Sequence, residues 1–233
     1  MDKEPDGCLI CHSPIVYGDS VEMRCCICGE TFESNARCAM GHYVCDRCHS
    51  SGSTVSIRDI CLASTETDPI AIAQRCMMIP SVHMHGPEHH VLVGSAILAA
   101  CRNSGHDIDL PAALEEMHRR GSVVPGSICG NWGCCGAAVS SGTACSIILK
   151  STPLSEDVWG VCIKLTGRCL QEIGEIGGPR CCKRDSFTAI RVVSEYFREN
   201  LGIDIPVKGP VLCDFHNRNP QCKGTDCPYF RGA

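Results

Sequence analysis

Cysteines two residues apart constrain this chain more than any other feature of its sequence. Two Cys-x2-Cys pairs are followed by a Cys-x3-His-x2-Cys-x2-Cys run. Such turns direct two thiolates and nearby backbone amides to one point, which suits a tetrahedral zinc ion. Eight ligands predict two zinc ions. They are Cys8, Cys11, Cys25, Cys28, Cys38, His42, Cys45 and Cys48.

The spacing of these eight residues fits two pairings. The ligand pairs can combine in sequence, or they can be cross-braced, with the first joining the third and the second joining the fourth. The segment GHYVCDRC resembles the middle of a RING finger, but the closing Cys-x2-Cys of a RING is absent. We therefore do not infer ubiquitin-ligase activity from this resemblance. We expect structural metals, because four-ligand zinc sites have no open position.

The composition indicates a cytoplasmic metalloprotein. The chain has 22 cysteines in 233 residues, and its charged start and lack of a long apolar run predict neither a signal peptide nor a membrane span. In a reducing compartment, closely spaced cysteines favour metal ligation or thiol chemistry over disulfides. The net charge of −5 and the 5% aromatic content make RNA binding by the basic tail the least favoured function.

Helix signals divide the chain into three parts and predict a mainly α fold. We expect a zinc-knuckle or treble-clef-like module at residues 1–62, a helical domain at 63–205, and a cysteine-rich tail packed on it at 206–233. The predicted helix starts are Thr67-Asp68-Pro69, Gly86-Pro87, Leu110-Pro111 and Ser155-Glu156-Asp157, and a further helix follows the segment GEIGGPRCC. The apolar stripe in this last helix predicts core packing.

The segment HMHGPEHH places four histidines and a carboxylate around the start of a helix. Imidazoles and a carboxylate can bind a metal ion or exchange protons near neutral pH. The alternative is a capping cluster in which the helix dipole favours the carboxylate. We take His85, Glu88, His89 and His90 as candidate catalytic residues.

Two glycine-cysteine turns are candidate sites of chemistry. Cys134 and Cys135 precede a predicted helix, where free amides lower the pKa of a thiol, and Cys181 and Cys182 precede another. Flanking glycines let the backbone approach a bulky group. Cys134 and Cys135 are therefore predicted to be catalytic.

The tail contains a Cys-x8-Cys-x4-Cys-Pro run, which resembles cluster-binding runs without having the ferredoxin spacing. It can also form a zinc site completed by His216 or by a core cysteine. The residues expected to bind a [4Fe–4S] cluster or a further metal are Cys129, Cys181, Cys182, Cys213, Cys222 and Cys227. Most of the remaining cysteines, such as Cys145, lie in apolar helical stretches and are expected to be small core residues.

Several segments resemble the family of the cysteine-rich domain of unknown function 5714. They are MHGPEHHVLVGSAILAACRN, GNWGCCGAA, IGGPRCCKRDSFTAI and CPYF, and nearer the start CHSPIVYG and ARCAMGHYVCDRCHS. The resemblance implies an anaerobic archaeon or bacterium, and in some members an attached S-adenosylmethionine-dependent methyltransferase domain that is not visible here. Cys135-Gly136-Ala137 and Cys181-Cys182 are also distantly similar to a redox-associated family with a C-GCAxxG-C-C signature.

Two functions follow from these features, and the sequence does not decide whether the protein is an enzyme. The first is redox or sulfur chemistry at a Cys/His site, with a [4Fe–4S] cluster or a further metal between the glycine-cysteine turns and the tail. The second is a zinc-stabilised binding module, without catalysis of its own, for a methyltransferase or a redox partner protein.

Overall fold

A computed structural model describes residues 7–11, 13–50 and 52–232. These residues form nine α-helices and one two-stranded sheet, which confirms the mainly α fold. The elements are β1 (Ile15–Arg24), β2 (Thr31–Cys38), α1 (Asp46–Ser50), α2 (Ser53–Ala63), α3 (Pro69–Met77), α4 (His89–Asn103), α5 (Leu110–Gly121), α6 (Ile128–Asn131), α7 (Gly136–Ile148), α8 (Asp157–Ile176) and α9 (Cys182–Leu201).

An antiparallel hairpin of β1 and β2 organises the cysteine module. Ile15 pairs with Cys38 at the open end of the hairpin, and Arg24 pairs with Thr31 at the closed end. The closed end contains the second Cys-x2-Cys turn, where Gly29 has a φ of +74° that favours glycine. The hairpin therefore holds two of the predicted ligand pairs at opposite ends.

Two helices, α1 and α2, lie at the end of the region that the sequence assigned to the zinc-binding module. α2 packs against α3, α4 and α5. Its residues Ile57 and Cys61 are fully buried in the apolar core that the later helices build. The chain around residue 62, where the sequence suggested a domain boundary, thus already contributes to the helical core.

The predicted helix starts are largely confirmed. Asp68 caps α3 by accepting hydrogen bonds from the Ile70 and Ala71 amides at 2.8 and 3.4 Å. Asp109 caps α5 in the same way. The start of α8 differs, because the Ser155 hydroxyl accepts from the Thr152 amide in the preceding turn and does not cap the helix.

The centre of the core is α4, which contacts α2, α3, α5, α7 and α9. α7 approaches it closely because its residues are small: the Ser140 hydroxyl accepts a hydrogen bond from the Gly94 amide at 2.8 Å. The stripe predicted on α9 is also confirmed, since it is fully buried. Seven cysteines are assigned to no predicted site. Six of them, including Cys145, are buried, and Cys26 is exposed.

The tail lies against α3 and α9. The Asp68 carboxylate accepts a hydrogen bond from the Lys208 amide at 2.9 Å, and Gln74 donates to the Leu212 carbonyl. The Tyr229 hydroxyl lies 3.0 Å from the Thr188 hydroxyl on α9. These contacts carry the tail cysteines to the start of α9. No helix in the described part of the chain has both the length and the apolar character needed to span a bilayer.

Candidate metal centres

The eight predicted ligands form two compact groups of four, and their pairing is cross-braced. Cys8, Cys11, Cys38 and His42 form one group, and Cys25, Cys28, Cys45 and Cys48 form the other. Within each group one ligand atom from each residue lies within 4.8 Å of all the others. The structure thus decides between the two pairings that the spacing left open, and each group can hold a metal ion.

The hairpin explains the cross-bracing. At its open end, the Cys11 sulfur lies 3.5 Å from the Cys38 sulfur and 3.2 Å from the Nδ1 atom of His42. At its closed end, the Cys26 amide donates to the Tyr43 carbonyl, which draws the turn to the segment that enters α1. The sulfurs of Cys28 and Cys45 are therefore 3.8 Å apart.

Hydrogen bonds and burial shift the pKa values of the module thiols in opposite directions. The Met40 amide donates to the Cys38 sulfur at 3.2 Å, and the Cys45 amide donates to the Cys25 sulfur at 3.4 Å. A hydrogen bond from the Ser13 side chain is the main cause that lowers the pKa of Cys11 to about 6. Burial raises the pKa of Cys45 to about 12. A metal ion must therefore displace a proton from Cys45 at neutral pH.

A small cavity brings the three tail cysteines together with one cysteine from the start of α9. Cys181, Cys213, Cys222 and Cys227 all line it. His216 also lines the cavity, and its Nδ1 atom faces the Cys213 carbonyl at 3.2 Å. Both groups that the sequence offered to complete the tail site, His216 and a core cysteine, thus line the same cavity.

The four thiols of this cavity are more widely spaced than those of the module. Among the described residues, no three of them lie within 4.8 Å of one another. Tetrahedral geometry around a zinc ion, with bonds of about 2.3 Å, places sulfur ligands about 3.8 Å apart. The module thiols have that spacing and the cavity thiols do not.

Nitrogen donors point at three of these four sulfur atoms. Cys181 accepts from the Asn219 side-chain amide and from the Arg184 backbone amide, both at 3.5 Å. Cys213 accepts from the Phe215 amide and Cys222 from the Gly224 amide, both at 3.4 Å. Hydrogen bonds of this kind stabilise negative charge on sulfur.

The other cysteines of the two glycine-cysteine turns lie in or beside an open cleft of about 970 Å³ between the module and the helices. Cys129, Cys135 and Cys182 line the cleft, as do His85, His89 and His90. Cys134 lies beside the cleft without lining it, and its amide donates to the Ile128 carbonyl. The residues that the sequence assigned to one cluster site are thus divided between two cavities.

Cys135 does not have the lowered pKa that its position before α7 predicted. Burial, followed by the negative charge of the adjacent Asp185 carboxylate, raises the pKa of this thiol to about 12. Burial likewise raises the pKa of Cys181 to about 11 and raises that of Cys182. Desolvation outweighs the helix amides here, so the expectation of an activated thiolate was wrong for these three residues.

The predicted histidines have structural partners. His89 contacts the Gly86 carbonyl through Nδ1 and the Lys183 ammonium through Nε2, at 3.0 and 3.1 Å. Burial, followed by the positive charge of Lys183, lowers the pKa of His89 to about 3. The Nδ1 atom of His90 lies 3.0 Å from the Val124 carbonyl. Because both nitrogens of His89 are engaged, this residue holds the start of α4 in place.

Glu88 is fully buried beside His83 and His49, and the sequence did not predict that His49 lies there. Its carboxylate lies 3.4 Å from the Nδ1 atom of His83 and 3.6 Å from the Nδ1 atom of His49. Burial would raise the pKa of Glu88, but the two imidazoles lower it below its usual value. His49 follows the last module ligand, and no sequence spacing relates it to Glu88.

Comparison with known proteins identifies a family without an assigned activity. No curated protein and no solved structure matches the chain. A family described as "Family of unknown function (DUF5714)" matches residues 57–230, from α2 to the end of the tail. The cysteine module lies before the matched residues, although the sequence resemblance included it. The chain belongs to the DUF5714 family.

Proposed function

We propose that this protein is a redox metalloprotein in which a [4Fe–4S] cluster is bound by Cys181, Cys213, Cys222 and Cys227. The observation that carries the proposal is the shared cavity of these four cysteines. No three of these thiols lie as close together as the ligands of a single tetrahedral ion, and in a cluster each thiolate would bind a different iron atom. Three of the four sulfurs accept N–H hydrogen bonds, as cluster ligands do.

Such a cluster would supply one-electron transfer, and an electron acceptor bound in the adjacent cleft would lie next to it. Met84 and Gln221 line both the cysteine cavity and the cleft. The cleft is large enough for a small molecule. Because Cys135 is a protonated thiol at neutral pH, the arrangement favours electron transfer over nucleophilic sulfur chemistry.

The two groups of the module are proposed to hold zinc. Their sulfur separations of 3.5 and 3.8 Å are those of ligands around one tetrahedral ion. All four ligands in each group come from the protein, so no position is open for a substrate. Zinc there would stabilise the hairpin and α1, which contribute few apolar residues to a core.

Metal analysis of protein purified without oxygen tests this assignment. We expect four sulfide and at least four iron per chain, at least two zinc, and a broad absorption band near about 400 nm. Cys213→Ser and Cys222→Ser should lose iron and the band but keep zinc. Cys129→Ser, which changes a cleft thiol, is the matched control and should keep both metals.

A zinc-stabilised binding module without catalysis is the second candidate. It is favoured by exposed apolar side chains near the start of α8, where Leu154, Trp159 and Ile163 are 93%, 50% and 55% exposed. These can contact a methyltransferase or a redox partner protein. A colourless wild type with two zinc ions and no iron, unchanged by Cys213→Ser, would support this candidate and exclude the cluster.

A further inference from the structure

We propose a third metal site, formed by His49, His83 and Glu88, that holds a divalent first-row transition-metal ion with an open coordination position. One ligand atom from each residue lies within 4.8 Å of the other two. The imidazole rings of His49 and His83 are 4.5 Å apart between centroids, and both face the buried Glu88 carboxylate. The site lies outside both four-ligand groups and outside the cysteine cavity.

Unpartnered polar atoms point to a missing ligand at this position. The Nδ1 atoms of His49 and His83 and the Oε2 atom of Glu88 are buried without a hydrogen bond in the described part of the chain. Leaving a buried polar atom unpaired costs about 1–3 kcal/mol, and more for a charged one. A metal ion bound by all three residues would account for these atoms.

The surrounding residues hold the ligands in place. The other carboxylate oxygen of Glu88 accepts a hydrogen bond from the His83 amide at 2.7 Å. The buried Lys183 ammonium donates to the His83 carbonyl at 2.9 Å. A Cβ atom at Gly86 would overlap the Glu88 carboxylate and would displace it from this position. Metal sites typically hold their ligands in this way, with further hydrogen bonds that orient the side chains bound to the metal.

The site joins the two parts of the protein. His49 comes from α1 of the cysteine module, whereas Glu88 immediately precedes α4. The Asp46 carboxylate accepts a hydrogen bond from the Gly126 amide at 2.7 Å, which holds α1 against the helices. A metal ion bound here would therefore fix the position of the module over the cleft.

The donor set distinguishes this site from the two four-ligand groups of the module. Two imidazoles and one carboxylate suit zinc, iron(II) or manganese(II), and three protein ligands leave a position for water or a substrate. His49 and His83 line the cleft and are 22% and 29% exposed in their side chains, whereas Glu88 is fully buried. The open position therefore faces the cleft, and a small anionic or neutral oxygen ligand can reach it.

Zinc loading with matched variants tests this inference. Each protein is saturated with Zn²⁺, freed of excess metal, and analysed by native mass spectrometry and elemental analysis. We expect His49→Ala and Glu88→Gln each to bind one zinc fewer than the wild type. Glu88→Gln preserves the volume of a fully buried side chain, so it guards against loss of the ion through misfolding. His118→Gln, which changes a histidine near the end of α5 outside every candidate site, should bind as many zinc ions as the wild type.

The readout is the difference between variants, so it does not depend on the iron–sulfur assignment. If the cysteine cavity takes zinc, it does so equally in all four proteins, and their iron and sulfide contents should also agree. Equal zinc content in the wild type, His49→Ala and Glu88→Gln would overturn the third site. A loss in His118→Gln as large as that in Glu88→Gln would overturn it as well.

Discussion

The Nε2 atom of His85 lies 3.3 Å from the Oδ1 atom of Asn219, and this contact connects the histidine-rich segment to the cysteine cavity. The same oxygen accepts from the Gln221 amide at 3.0 Å, which fixes the orientation of the Asn219 side chain. Its nitrogen then donates to the Cys181 sulfur. Because an amide oxygen only accepts, Nε2 of His85 carries the hydrogen. A single buried asparagine thus contacts both the histidine-rich segment and the cysteine cavity.

Asn219→Asp is expected to lower the reduction potential of the proposed cluster. The substitution keeps the acceptor for His85 and Gln221 but replaces the N–H donor to Cys181 with negative charge, which disfavours the more negative reduced state. A redox titration followed by electron paramagnetic resonance measures the change. Asn131→Asp, in the wall of the cleft, serves as the control. An unchanged or higher potential in Asn219→Asp would contradict the role of this hydrogen bond.

Zinc binding by the module should strengthen as the pH rises. Burial raises the pKa of Cys45 to about 12, so without metal this thiol carries its proton at neutral pH and zinc must displace it. We expect proton release on binding and a higher affinity at about pH 8 than at about pH 6. Calorimetry in buffers of different ionisation enthalpy measures both. An affinity that is constant over this range would show that Cys45 binds no metal.

Removal of the module metals by a chelator should unfold the hairpin and leave most of the helices intact. Within the described residues, the main apolar core begins at Ile57 on α2 and includes no residue of the hairpin. Limited proteolysis should then cut within residues 7–48 and leave a fragment that contains α2 to α9. The circular dichroism of the helices should fall only slightly. Cooperative loss of the whole helical signal would mean that the module supports the helical core.

Asp68→Ala should destabilise the protein more than Asp109→Ala does. Both residues cap a helix, which is worth about 1 kcal/mol. Asp68 is buried and also accepts from the Lys208 amide, so its loss leaves further donors unpaired and should cost about 2 kcal/mol or more in total. Urea unfolding of the two variants measures the difference. Equal losses would show that the tail contact adds nothing to the cap.

Glycines on two adjacent helices should respond oppositely to alanine. A Cβ at Gly142 on α7 would overlap the Thr166 hydroxyl, which donates to the Cys162 carbonyl. Gly142→Ala should therefore cost roughly 1–3 kcal/mol. A Cβ at Gly167 on α8 meets nothing within 4 Å, so Gly167→Ala should stabilise by about 0.5–1 kcal/mol. Thermal unfolding measures both, and a stabilised Gly142→Ala would contradict the close packing of α7 and α8.

Local sequence patterns were sufficient to predict the ligand turns and several helices of this protein. The spacing of eight residues predicted two four-ligand groups, because a Cys-x2-Cys turn brings its own thiols together whatever surrounds it. Capping residues and prolines predicted the starts of α3 and α5, since these signals act within one turn of the chain. The burial of the α9 stripe followed from its helical period.

Only the tertiary structure decided which distant residues meet. The hairpin determined the cross-bracing, and the packing of the tail on α9 selected Cys181 over Cys182 for the cysteine cavity. Burial reversed the expected pKa shift of Cys135, because desolvation depends on what packs around a thiol and not on its neighbours in sequence. The contact of His49 with Glu88 likewise requires the module to dock on the helices. The sequence by itself therefore determined the ligand turns and the helices, whereas docking determined which of their side chains share a centre.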